Sequence, residues 1–123
     1  MAKIDYKQSG VDVEEGYRAV TKYKDHAARA AIPGMLTGLG SFNGMFEVPK
    51  GVKNPVMVSG TDGVGTKLDV AFQMKKYDTV GIDCVAMSVN DILCSGVQTL
   101  FFLDSIVCGN LEADVDAELV KGV

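Results

Sequence analysis

The residues best suited to chemistry are concentrated in Ser59-Gly60-Thr61-Asp62-Gly63-Val64-Gly65-Thr66-Lys67, where glycines, a carboxylate, hydroxyls and an ammonium follow one another. The stretch comes after Pro55-Val56-Met57-Val58, a short β-branched apolar run. That order predicts a tight loop at the end of a buried strand, with backbone N–H groups free to meet an anion. It nearly matches the P-loop pattern, but here the hydroxyl precedes the lysine. Asp62 would repel a phosphate held in the same loop unless a cation stood between them. The expected ion is magnesium, which is held by one or two carboxylates together with substrate phosphates. The plainer reading is a turn at Asp62-Gly63 and a solvated Lys67.

A second stretch, Gly81-Ile82-Asp83-Cys84-Val85-Ala86-Met87-Ser88-Val89-Asn90-Asp91, has Ile82, Val85, Ala86, Val89 and Leu93 at helical spacing. A mostly buried helix over 81–95 is expected, interrupted by Asp83, Ser88, Asn90 and Asp91. At about 100° per residue, Asp83 and Asn90 share an azimuth and Asp91 adjoins it. Asp83 reads first as a first-turn acid that complements the helix dipole, and second as a ligand. Asn90 and Asp91 lie deep in the segment, where a buried carboxylate requires a cation or a donor network.

The two stretches, the following Leu100-Phe101-Phe102-Leu103-Asp104 and the opening Tyr6-Lys7-Gln8-Ser9-Gly10-Val11-Asp12 together resemble the amino-terminal half of the aminoimidazole ribonucleotide synthetase family, the phosphoribosylformylglycinamidine cyclo-ligases. The match runs in order across nearly the whole chain. It implies ATP-dependent ring closure of formylglycinamidine ribonucleotide to aminoimidazole ribonucleotide in purine biosynthesis. Carried over, it makes Asp62 and Asp91 magnesium ligands with Asn90 beside them, and Lys67 a counter-charge for phosphate. Gly63 and Gly65 would bring their backbone to the phosphates, and Thr66 would donate a hydroxyl. Asp104 is a substrate-binding candidate, or a turn aspartate.

Lys24 fills a gap in an apolar stripe of Tyr17, Val20, Ala27 and Ala31 on a helix predicted over 14–31, so a lysine in a buried seam is expected. It reads equally as a snorkelling side chain or, by the resemblance, a nucleotide contact. Lys7 is a weaker candidate. The glycine-rich segment 34–44, with Gly40 as a possible substrate contact, also matches the family. It reads as a loop able to fold over ligand, or a connector.

The elements that must position these residues are helices near 14–31, 66–76, 81–95 and 113–123 and strands near 56–59 and 98–103, with a possible strand at 45–48. This is a mixed α/β or α+β pattern without internal repeats or a dividing linker. The resemblance implies a sheet with helices on one face, the other face pairing with a second copy in a barrel-like homodimer; apolar 99–103 would suit burial on both sides. The 123 residues suffice for one domain, and 47% of them are hydrophobic, enough for a core. Family members are more than twice as long, so the chain reads as the amino-terminal ATP-binding domain (1–123), without the carboxy-terminal domain and inactive alone.

A net charge of −4 with dispersed lysines argues against nucleic acid. No stretch approaches a membrane span and the polar start is not a signal peptide, so a cytoplasmic protein is expected. Cys84, Cys94 and Cys108 lack metal spacing; Cys84 and Cys94 read as small buried hydrophobes, and the lone His26 as a surface residue. Two alternatives stand beside the cyclo-ligase: a dimerisation module with negligible ATP affinity, and another synthetase of the same superfamily, for selenophosphate or thiamine diphosphate.

Overall fold

The computed structural model describes residues 5–123; the polar start at 1–4 lies outside them. Four helices carry the architecture: α1 (Val13–Arg29), α2 (Lys67–Met74), α3 (Asp78–Leu93) and α4 (Ala113–Gly122). α1 packs on α4, α4 on α3, and α3 on α2.

α1 begins where Asp12 accepts the Glu15 N–H at 3.1 Å, and it carries Glu14 and Glu15 in its first turn and His26 and Arg29 in its last. Both features suit the helix dipole. The face it buries differs from the expected one. Ala19 is 2% exposed, whereas Tyr17 is 65% exposed and Lys24 also faces outward. The seam runs through Gly16, Ala19, Val20, Tyr23 and Ala27, with small residues where the chain comes close: Leu111, just before α4, lies 3.9 Å from where a Cβ on Gly16 would stand. Lys24 is therefore not in the seam. His26, expected at the surface, is half-buried and contacts the Arg29 guanidinium.

α4 has no side-chain cap of its own, and Glu15 of α1 supplies one by accepting the Ala113 N–H at 2.8 Å. Arg18 donates to the same Glu15 carboxylate and to Asp114, and Lys22 reaches Asp114 at 2.6 Å. Ala113 is completely buried beneath this network. At the other end of α4, Gly81 and Gly122 let the backbones of α3 and α4 touch. A Cβ on Gly81 would strike Leu119 O and lie 2.8 Å from Val123 N, and one on Gly122 would strike Asp78 O. α2 ends on Lys75 in the left-handed conformation (φ 52°), and Phe72 and Tyr77 meet edge-on at 5.4 Å across the turn into α3.

The predicted strands do not pair into a sheet. Among the described residues the only bridges are Met35 with Phe46, antiparallel, and Leu39 with Ser41. Segment 34–47 folds back on itself, with Leu36 N–H to Met45 O at 2.9 Å and Glu47 N–H to Gly34 O at 2.7 Å. Phe46 stacks on Phe101 at 5.0 Å, which brings 98–103 alongside without a ladder. Val56 (84%) and Leu103 (72%) are exposed rather than buried on two sides. A strand exists only by pairing its backbone, and segments 56–59 and 98–103 find no partner strand within the described chain. No described helix is long and apolar enough to cross a membrane.

Two consequences can be measured. Gly81→Ala should cost about 1–3 kcal/mol in urea unfolding, since backbone must move, while Gly63→Ala, with open space around it, should change stability by less than about 1 kcal/mol; equal effects would contradict the packing of α3 on α4. Asp116 is only 5% exposed, and burial, then Glu15 and Glu112, push its carboxyl above the usual value of 3.8. The folded state thus holds that proton more tightly than the unfolded state, so this contribution to stability is present below the unfolded value and lost as pH rises through the folded one. Asp116→Asn should therefore raise the thermal midpoint at neutral pH, with the gain shrinking below about pH 4. A gain that grew on acidification would refute the assignment.

Candidate functional site

Gly60 seats the loop 59–67 on α3. A Cβ there would lie 3.0 Å from the Ile92 side chain, 3.8 Å from Ser88 O and 4.0 Å from the Asp91 Cβ. Only a glycine backbone fits at that distance without displacing Ile92. The loop and the Asn90-Asp91 turn, far apart in sequence, are thereby neighbours. Ser88 beneath them is 7% exposed.

Further along, the Asp62 carboxylate accepts the Gly63 N–H at 2.7 Å, an arrangement that shapes the turn. Gly63 and Gly65 have open space where a Cβ would stand, and Gly65 has φ 73°. Thr66 is the N-cap of α2 but makes no side-chain cap bond, so its hydroxyl is not spent on the helix. Lys67, the first residue of α2, forms an ion pair with Asp83 of α3. Both side chains are about half exposed.

That pairing corrects the reading of Asp83 as a first-turn acid. α3 starts at Asp78, whose carboxylate accepts the Thr79 N–H at 3.0 Å and pairs with Lys76, and Asp83 falls in the second turn. Asp91 and Asn90 are exposed, not deep in a buried segment, so no desolvation penalty holds their partners in place. Cys94 is exposed as well, and Cys84 half-buried.

Cys84 reports what surrounds it. Burial raises its thiol above the ordinary value, and the carboxylates of Asp104, Asp83 and Asp62 push the same way, opposed by Lys67. The Asp104 carboxylate acts on Tyr23 of α1 as well, in the same direction as burial. This neighbourhood is rich in acid around one lysine, a field that favours a cation. Among the described residues no three His, Cys, Asp or Glu side chains stand together as a metal cage. The donors present suit a hard ion that takes one or two carboxylates and completes its shell with phosphate oxygens and water. A shallow cavity of about 290 Å³ opens between α2 and α3, walled by Val70, Ala71, Met74 and Val80, with Lys67 and Asp83 on its lining.

Other candidates lie elsewhere. Lys24 is exposed on α1, which packs against neither α2 nor α3, and has no ion pair among the described residues. Lys7 is engaged at 2.9 Å with Asp12, the α1 cap. Gly40 is exposed with φ 109° and open space about it. Sequence reasoning missed the partnership of Asp83 with Lys67, because a helix start placed at Gly81 assigns Asp83 to the dipole of the first turn.

Residues 46–123 match the family described as AIR synthase related protein, N-terminal domain, and the chain belongs to that family. Within it the similarity is to phosphoribosylformylglycinamidine cyclo-ligases. The chain is 67% identical to that of Clostridium kluyveri, 66% to one from Clostridium botulinum and 65% to that of Clostridium acetobutylicum, each over 120 residues. These alignments cover 98% of the chain and 36% of each relative. The chain therefore spans about a third of the length of the curated relatives it matches.

Proposed function

We propose that this chain supplies the nucleotide-phosphate part of a cyclo-ligase that closes formylglycinamidine ribonucleotide to aminoimidazole ribonucleotide in purine biosynthesis at the expense of ATP. The observation that supports the reading is the contact of Gly60 with α3, which brings the loop that carries Asp62 and Lys67 alongside Asp91. In the proposed reaction the formyl oxygen takes the γ-phosphoryl group and ADP leaves; the amidine nitrogen then adds to that carbon, and phosphate departs with the oxygen. Phosphoryl transfer of this kind is governed by positioning and charge stabilisation.

Each residue has a stated part. The backbone at Gly63 and Gly65 approaches the phosphates, where a side chain would stand in the way. The Thr66 hydroxyl donates to a phosphate oxygen, and Lys67 offsets negative charge. Asp62 and Asp91, with Asn90, would hold magnesium, which neutralises the charge that develops on the phosphoryl oxygens. Asp104, whose charge acts on Cys84 of α3, is the candidate for contact with the substrate. The remaining length of the family's proteins would complete the cleft, and the enzyme would act in the cytoplasm as a homodimer with segments 56–59 and 98–103 in a shared sheet.

A second reading treats the chain alone as a dimerisation module. It is favoured by the exposure of Val56, Met57, Phe101 and Leu103 on the segments expected to be strands. Calorimetry with magnesium-ATP, joined to sedimentation, separates the two. The nucleotide reading expects binding that Asp62→Ala or Asp91→Ala weakens about tenfold or more with the helices intact. Undiminished binding in both variants would contradict it, and a stable dimer that gives no heat would favour the module.

A further inference from the structure

Lys67 occupies a position that α2 itself does not favour. It is the first residue of a helix, the end whose partial positive charge repels an ammonium. Thr66, which caps that end, has helical dihedrals (φ −65°, ψ −14°) and no side-chain cap bond, so it offers Lys67 nothing. A lysine on its long flexible stem would then sample many rotamers. What meets it is Asp83, across the α2–α3 crossing. Asp83 Oδ2 is shielded from solvent and has no hydrogen bond among the described residues beyond this ion-pair contact. Removing Lys67 would leave that oxygen without its charged partner, and removing Asp83 would release the ammonium. Of the charged groups that act on Cys84, the chain neighbour of Asp83, Lys67 is the one cation, with Asp62, Asp83 and Asp104 opposite in sign.

The geometry points to Asp83 as a positioning residue that holds the Lys67 ammonium at the mouth of the glycine loop, so that Lys67 meets a ligand phosphate from a fixed place. This rests on the phosphate-binding reading of that loop. Asp83 is thereby distinguished from Asp62 and Asp91: its covered oxygen is turned to Lys67 rather than to a ligand. Holding a charged group in place before the ligand arrives lowers the ordering cost at binding.

The test uses this chain with lysine labelled at Cε and Nζ, followed by NMR with and without magnesium-ATP. In the unaltered chain the Lys67 ammonium should be motionally restricted and should shift on titration. Asp83→Asn should remove the restriction and weaken magnesium-ATP binding on the order of tenfold, with far-ultraviolet circular dichroism unchanged. Asp83→Glu should fall between the two. Should Asp83→Asn fail to fold, Asp83→Glu decides by the same two readouts. Unaltered Lys67 mobility in the variant, or magnesium-ATP affinity equal to that of the unaltered chain, would overturn the proposal. If the unaltered chain binds no magnesium-ATP, the phosphate-site reading falls, while the mobility comparison still decides whether Asp83 fixes Lys67.

Discussion

Helix α3 can do its work only because its neighbours reach it without a Cβ in the way. Gly81 and Gly122 bring α4 into backbone contact near its start, and Gly60 lays the loop on Ser88, Asp91 and Ile92 near its end. Dispersion and burial reward such approach steeply, and a methyl group at Gly81 or Gly122 would strike backbone and forfeit it. The rest follows from that placement. α4, anchored along α1 by the Glu15 cap and the Arg18 and Lys22 pairs with Asp114, holds α3 still, and α3 holds the loop.

The electrostatics are organised along the same line. Acids at 62, 83 and 104 act on one small region with Lys67 as the cation among them, while the ion pairs of α1 and α4 are satisfied locally. Asp62 and Asp91 stand exposed at the loop and at the end of α3, with their carboxylates toward solvent rather than in the core. A ligand carrying both phosphate and a divalent ion would answer both signs at once. Membership in the AIR synthase related family agrees with this distribution, and the chain spans about a third of the length of the relatives it matches.

Much of this was legible in residue types. All four helices were anticipated, α1 and α3 from apolar periodicity, because 3.6-residue repeats are a local property. The boundary that shifted most was the start of α3, which lies at Asp78, three residues before the Gly81 expected to open it. The face of α1 was misjudged because the seam follows small residues at 16 and 19 rather than Tyr17, a choice made by the approach of α4. Strand segments were read from composition, but pairing is a property of two backbones, and none is within reach of 56–59. The loop and Asp91 were nominated separately by chemistry. Their adjacency, and the partnership of Lys67 with Asp83, depend on how α2 crosses α3, which no spacing in one segment encodes.

The central claim is that the glycine loop and the Asp91 end of α3 form one phosphate-binding surface. It is tested most directly by mapping backbone amide shifts of this chain as magnesium-ATP is added. The account predicts that the perturbed amides cluster at 60–67 and 83–91 and vanish when magnesium is chelated. Shifts confined to α1 or to 34–44, or none at saturating nucleotide, would contradict it.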